Sequence, residues 1–512
     1  MDTPPPATSR VRLELLGLAV ALHLLAFAYL LLRTRDRADW TIGVFKTYGD
    51  LMRAGHTPYR DFVLEYPPLA APLLWLPSLV TRGAAGYRLA FAVEALAFDL
   101  LGVGVGLWLV RRAAPHIPRW GVVLAQPLWL LCAGRVLVFD RFDLSAAVLM
   151  LLAIALVVVR RPRLAWFVLG LATALKLYPV VLLPLFALVA LSGGRRWRLA
   201  GDLGAFAAAI VVPALIVARG DLPAVATFLT YHLDRGLEIE TVSASALMVA
   251  RSLSGPVSQR WGHGGNEIVA PLAPLLASLT LPLTVLALGA VYLIAWRRRR
   301  YWADTPALAD DLARLSAAAV LAFMLAGKVL SPQYLLWLYP LIAVVSRRPL
   351  TLGAVYGLAL LLTGWIFPAH YYLLVRFAPR EVLALVARNG VLLVLAALTL
   401  LPRGPVGRWR ALHAAGGSVE RHTFLPVRGE ERLSRRRPPT PRMRPSSRAT
   451  PPSTRAWRAS PSTPPAPPPS ACKRPSAPPN RWRHHESSAP DAGHLSDARA
   501  QWLRALGAKL LG

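Results

Sequence analysis

From Leu15 onward the chain alternates between long apolar runs and short charged clusters, and the alternation holds as far as Leu401. An apolar run of about 18 residues is what a helix needs to cross a hydrocarbon core of about 30 Å. The pattern predicts spans at about 13–32, 86–110, 119–134, 143–160, 164–176, 178–192, 199–218, 270–296, 310–330, 331–346, 350–368 and 383–401. The expected fold class is therefore all-α, a polytopic membrane bundle of about 12 (11–13) transmembrane helices with a long first extracytoplasmic loop. The runs 164–176 and 178–192 are short and read as tilted or half-buried. Pro67–Val80 is also apolar, but Pro67, Pro68, Pro72 and Pro77 disfavour a straight span, so it reads as an interfacial helix.

Charge sets the orientation. Basic clusters fall at Arg10/Arg12, Arg111/Arg112, Arg160/Arg161/Arg163, Arg195/Arg196/Arg198, Arg297–Arg300 and Arg347/Arg348. All of them lie on one side, the cytoplasm by the positive-inside rule, only if 67–81 does not cross. The loops at about 33–87, 134–142, 219–270 and 367–380 then face outward. Leu15–Leu32 has no small-residue cleavage site after it and reads as a signal anchor. The expected location is the inner (plasma) membrane, multi-pass, with both termini cytoplasmic.

After Leu401 the character changes. Residues 402–512 hold 21 Lys and Arg against 6 Asp and Glu, about half of the whole-chain charge of +31. The Pro-rich part cannot bury enough apolar surface to fold. The expected division is a transmembrane domain at 1–401 and a basic, Pro/Arg/Ser-rich, disordered cytoplasmic tail at 402–512, with a short amphipathic helix at Ala498–Leu511. Strong basicity also suits nucleic acid, but no recognition motif accompanies it, and none is expected as a partner. Overall the chain is 55% hydrophobic with mean hydropathy +0.44, as a membrane protein should be. Cys132 lies in an apolar run and Cys472 in the tail, so neither a disulfide between them nor a metal site is indicated.

The first outer loop carries Arg37-Ala38-Asp39-Trp40, then Gly55-His56-Thr57-Pro58-Tyr59, then Glu65-Tyr66-Pro67-Pro68-Leu69. An Asp just after the first span, a Gly-x-x-Pro-Tyr element and a Tyr-Pro-Pro-Leu element resemble glycosyltransferase family 87. That family is one of the GT-C membrane enzymes, so the resemblance implies a GT-C-like bundle. Its known members resemble polyprenol-phosphate-mannose-dependent α-mannosyltransferases. Lys176-Leu177-Tyr178-Pro179 matches the family's Lys-x-Tyr-Pro turn. Tyr231–Gly236 and Lys328 through Ser331-Pro332-Gln333-Tyr334 to Trp337 are similar to family segments as well. Gly134-Arg135 departs from the family's Gly-Gln loop, which leaves an amide contact there without its amide. The resemblance covers roughly residues 10–400 and excludes the tail.

Moving a sugar from a lipid phosphate to a hydroxyl needs one general base and fixed positive charge for the departing phosphate. The two-carboxylate arrangement of glycoside hydrolases is not required. Asp39, about seven residues beyond the first span, is the expected base. It would otherwise pair with Arg35 or Arg37 or cap the following helix. Asp36 reads as one charge in an Arg-rich stretch, and Asp61 as a surface or capping residue. Glu65 and Tyr66 are candidates for binding and stacking on sugar, or equally a helix cap and an aromatic-belt anchor. Lys176 is the leading candidate for the phosphate, because a lysine between apolar runs usually faces protein or a cavity; snorkelling to the interface is its alternative. Arg235 with His232 offers a guanidinium fork to the same phosphate, or is a solvated loop charge. Lys328 and Gln333 would line the same cavity.

No cofactor is expected. Asp140 and Asp143, flanking Arg141, have a spacing that suits a divalent ion, but pairing with Arg141 or Arg135 is the favoured reading. Glu94 and Asp99 are intramembrane acids, for which function and pairing with a neighbouring helix are equally open, and mid-span His23 reads as a satisfied packing residue. The leading function is a membrane hexosyltransferase. By the family resemblance it is a mannosyltransferase, using a polyprenyl-phosphate donor and a glycolipid or glycan acceptor on the extracytoplasmic face. An ion-coupled transporter or lipid flippase is the alternative.

Overall fold

The computed structural model describes residues 7–33, 40–113, 119–194, 196–229, 235–251, 256–346 and 348–401. The expected tail, with Ala498–Leu511, lies outside the described residues. The apolar runs become helices: α1 (Ala7–Arg33), α2 (Trp40–Arg53), α3 (Ala70–Val80), α4 (Ala84–Ala113), α5 (Gln126–Ala133), α6 (Arg135–Phe139), α7 (Asp143–Val158), α8 (Pro162–Leu175), α9 (Leu183–Ser192) and α10 (Leu199–Val217). Two short helices follow, α11 (Leu222–Val225) and α12 (Val242–Val249). After an antiparallel hairpin, β1 (Ser258–Gly262) and β2 (Gly265–Val269), come α13 (Ala273–Arg298), α14 (Thr305–Ala326), α15 (Tyr339–Val344), α16 (Pro349–Gly364), α17 (Tyr371–Val375) and α18 (Pro379–Leu400).

Six helices among the described residues are long and apolar enough to cross a membrane, and shorter apolar helices fill intervals between them. The protein is an all-α polytopic membrane bundle, with the hairpin as its one sheet among the described residues. Breaks between helices follow local chemistry. Gly134 takes φ +76° between α5 and α6, and Arg160 and Arg348 take positive φ just before Pro162 and Pro349, which open α8 and α16. The expected span 331–346 is instead a 3-10 turn, Pro332–Trp337, followed by the six-residue α15. Pro332 and Pro340 each lack an N–H, which suits a helix start but not a helix interior, so the segment divides. It is almost wholly buried, so internal packing replaces a regular span.

Helix α3 has 11 residues and is about 16 Å long, too short to cross. It lies against α2: Ser78 Oγ donates to the Gly49 carbonyl at 2.9 Å, and Arg53 donates to the Ser78 and Thr81 carbonyls. The sequence reading gave α2 no bounds and took it only as the helix that Asp39 could cap; its Ile42, Phe45 and Gly49 make a buried stripe. At the centre stands α7, buried along nearly its whole length and packed against α4, α8 and α14.

The loops gather at two ends. At one end, Arg160 reaches the Ala303 carbonyl, and Arg298 pairs with Asp311 through Nε at 2.8 Å. Asp311 also accepts from Trp302 at 3.0 Å and Arg314 at 3.2 Å, and Arg314 donates to the Thr399 carbonyl. These contacts supply the polar partners that buried charges in α14 require. At the other end meet the segments expected to face outward. Leu69 N–H donates to the Ala174 carbonyl at 2.9 Å, Arg88 pairs with Asp140, Arg219 reaches the Gly55 carbonyl, and Glu238 bonds the 328–331 segment.

Candidate active site

At that second end, Lys176 ends α8 in an extended conformation (φ −153°, ψ 134°), with a 3-10 turn from Tyr178 after it. Its side chain is brought to the first turn of α7, where Nζ donates to Asp143 Oδ1 at 2.6 Å. Trp337 Nε1, from the 3-10 turn before α15, donates to the same oxygen at 2.6 Å. The indole is held between two rings, Tyr178 at 3.9 Å and Tyr334 at 3.8 Å. The ammonium also faces the rings of Phe142 at 4.9 Å, Trp337 at 5.9 Å and Tyr334 at 6.0 Å, distances at which aromatic faces attract a cation.

The ion pairs differ from the local ones the sequence favoured. Asp140 takes a forked pair of hydrogen bonds from Arg88, at 2.9 and 3.2 Å, and Asp143 takes Lys176. Arg141 donates to the Asp140 main-chain carbonyl rather than to its carboxylate. Partners 52 and 33 residues away thus take the hydrogen bonds of the two carboxylates, while Arg135 acts on Asp140 by charge. Among the described residues no group of three His, Cys, Asp or Glu is arranged to hold a metal ion.

On one flank, Glu65 and Tyr66 come within electrostatic reach of Lys176 and of Arg141 and Asp143 respectively. The Tyr66 ring meets Phe142 edge-on at 4.9 Å and Phe45 at 5.8 Å. Its carbonyl accepts from Tyr59 Oη at 2.6 Å. Asp61 closes the turn beneath: Arg60 and the Thr57 N–H both donate to it and hold its carboxyl well below the usual carboxylate range.

On the other flank is Arg235, whose guanidinium donates to Glu238 at 3.1 Å. Both groups reach the Tyr334 hydroxyl electrostatically, as does Asp143, so Tyr334 bridges the Arg235 flank and the Lys176 centre. Glu238 also accepts from Leu330 N–H and Ser331 Oγ, each at 2.7 Å, and its own N–H donates to the Lys328 carbonyl. Lys328 thus enters this joint through its main chain, and Gln333 is half-buried in the 3-10 turn beside Tyr334. The hairpin braces the same loop. Ile239 N–H bonds the Asn266 carbonyl, Ile268 N–H bonds the Leu237 carbonyl, and Glu267 accepts from Gly236 N–H, Arg260 and His263. Burial pushes the Glu267 carboxyl up, but those three donors outweigh it and hold the carboxyl below its ordinary value.

Of the residues singled out in the sequence, Glu65, Tyr66, Lys176 and Arg235 come together here, with Lys328 and Gln333 at the edge. Asp39, Asp36 and His232 lie outside the described residues. Asp99 is enclosed deep in the bundle between His23 at 2.5 Å and Tyr339 at 2.9 Å. Sequence reading missed Glu238, Trp337 and the contact between Asp143 and Lys176. Two carboxylates in the short apolar stretch Leu237-Glu238-Ile239-Glu240 were the available signal, since such groups are buried only with partners.

The sequence profile of glycosyltransferase family 87 matches residues 62–332, slightly more than half of the chain. No curated protein matches the sequence. Among solved structures, the crystal structure of ArnT from Cupriavidus metallidurans in the apo state is 16% identical, with a TM-score of 0.40, over 77% of each chain. The cryo-EM structure of arabinosyltransferase EmbB from Mycobacterium smegmatis is 16% identical, with a TM-score of 0.32, over 81% of this chain and 44% of that one. The family match begins after Asp39 and ends one residue before Gln333.

Proposed function

Because the chain belongs to glycosyltransferase family 87, we propose that it is a GT-C hexosyltransferase that moves mannose from a polyprenyl-phosphate donor to an envelope glycolipid or glycan at the extracytoplasmic face. The observation that supports this most is the Lys176 ammonium, fixed by Asp143 beneath an aromatic wall at the end of the bundle away from Arg160 and Arg298. An anionic leaving group needs such a charge held in place before the reaction begins. Arg235 adds a second cation next to Tyr334.

Asp39 acts as the base. It directly precedes α2, whose Phe45 packs on Tyr66 at 5.8 Å and on Phe142 at 5.7 Å, and Phe142 is one of the rings that wall Lys176. Its carboxylate takes the proton of the acceptor hydroxyl as the acceptor oxygen bonds to the anomeric carbon. The bond from that carbon to the phosphate oxygen breaks, its electron pair leaves with the polyprenyl phosphate, and Lys176 stabilises the charge. One displacement inverts the anomeric centre. Glu65 and Tyr66 hold the sugar, with His232, Lys328 and Gln333 around it. The basic clusters face the cytoplasm of the inner membrane, and residues 402–512 form a tail on that side.

Purified full-length protein, reconstituted in lipid vesicles with radiolabelled polyprenyl-phosphate mannose and a membrane lipid extract, should label an acceptor. Label from another polyprenyl-phosphate sugar alone would reassign the donor. No transfer from any of them would overturn the proposal.

A further inference from the structure

We propose that Asp143 is the positioning residue of the reaction: it keeps Lys176 charged and aimed, and Trp337 fixes Asp143 for that task. The inference rests on the reading that Lys176 receives the donor phosphate. The geometry behind it is a chain of three contacts. Tyr178 and Tyr334 clamp the Trp337 indole, the indole N–H fixes Asp143 Oδ1, and that oxygen takes one of the three ammonium hydrogens of Lys176. Two ammonium hydrogens are then left for a ligand. The other oxygen, Asp143 Oδ2, is buried and accepts no hydrogen bond among the described residues, so there the carboxylate's hydrogen bonds go to the lysine and the indole.

An ammonium removed from water tends to lose its proton unless an anion stands beside it. Asp143 attracts the ammonium both by charge and by its hydrogen bond, Glu65 attracts it from farther off, and Arg141 repels it. Asp143 is thus the nearest of the two acids facing the lysine. It also sits in the first turn of α7, where the helix favours a negative charge. A lysine in an extended turn between two apolar helices has few other means of being held in one orientation.

The test is the binding of undecaprenyl phosphate to the full-length protein in detergent, followed from pH 7.5 to 10.5. Wild-type affinity should fall on the alkaline side as Lys176 loses its proton. In Asp143→Asn the midpoint of that fall should move down by about one pH unit or more, equivalent to about a tenfold change in the protonation equilibrium. Asn still accepts from Trp337, so the stack is retained. Lys176→Arg, whose charge does not titrate in this range, should bind without an alkaline fall whether or not Asp143 is also replaced. A midpoint in Asp143→Asn equal to wild type would overturn the positioning role. Lys176→Gln binding like wild type would instead overturn the phosphate reading beneath it, so the two failures are distinguishable. If melting shows that Asp143→Asn does not fold, Trp337→Phe serves: it removes the N–H that fixes Asp143 Oδ1, so the midpoint should move down, and a midpoint equal to wild type would overturn the inference.

Discussion

Glu238 and Ser331 are joined by a hydrogen bond of 2.7 Å across 93 residues of sequence. With Leu330 N–H on its other oxygen and Arg235 beside it, this carboxylate unites the 235–239 loop with the turn that leads to Tyr334 and Trp337. Glu238→Ala leaves a buried N–H, a hydroxyl and a guanidinium short of an acceptor, which should cost about 1–3 kcal/mol for the backbone group alone. A lowered melting temperature with transfer reduced more than in Glu238→Gln is the expected outcome, measured by thermal unfolding and the labelled-donor assay.

Lys176→Gln should lower transfer by about 10²–10³-fold, the scale on which loss of one fixed stabilising group slows a charge-separating step. Lys176→Arg should recover part of that, because it restores charge with a different shape. Rates under saturating donor separate the loss from weaker binding.

Asp39→Asn should reduce turnover by about 10²–10⁴-fold while leaving folding and donor binding intact. Retained turnover would move the base elsewhere, with Glu65 the next carboxylate to replace.

The Glu267 carboxyl has a lowered folded-state pKa, so its stabilising contribution is complete above the unfolded value of about 4.3 and is lost as pH falls through the lower folded value. The hairpin should therefore become more open to proteolysis as pH drops below about 4. In Glu267→Gln that acid sensitivity should be smaller, and the hairpin should already be more labile at pH 7. Limited proteolysis across the pH series reads both.

Helices α8 and α10 meet at Gly170, where an added Cβ would fall 2.5 Å from the Phe206 carbonyl and 2.7 Å from Ala209 Cβ. Small residues let membrane helices approach this closely. Gly170→Leu should destabilise by about 1–3 kcal/mol or more, visible as a lower melting temperature in detergent.

The bundle was legible because apolar length is read directly from the sequence, and the segment 67–80 was legible because its prolines and 11-residue helix agree. Local pairing was half of the answer, since Arg135 does act on Asp140 by charge. Asp140 and Asp143 have Arg135 and Arg141 close by in sequence, yet Arg88 and Lys176 take the carboxylates, since helix ends from distant segments meet there. The stripe Ile42, Phe45, Gly49 was a readable signal for α2, obscured by the charged residues around it. The hairpin was hidden too: its turn rests on His263 at φ +48° and Gly264 at φ +72°, a conformation that few side chains advertise. Of the candidate cluster, Lys176 could be picked out because a cation between apolar runs demands an explanation. Trp337 could not, because one more aromatic in an apolar stretch resembles core.

Asp140 finds Arg88 among residues already made when it leaves the ribosome. Asp143 must wait 33 residues for Lys176 and 194 for Trp337. Translation thus delivers the Arg88–Asp140 brace early and the last contact of the candidate cluster late, so a nascent chain that stops before residue 337 lacks the indole on which Asp143 closes.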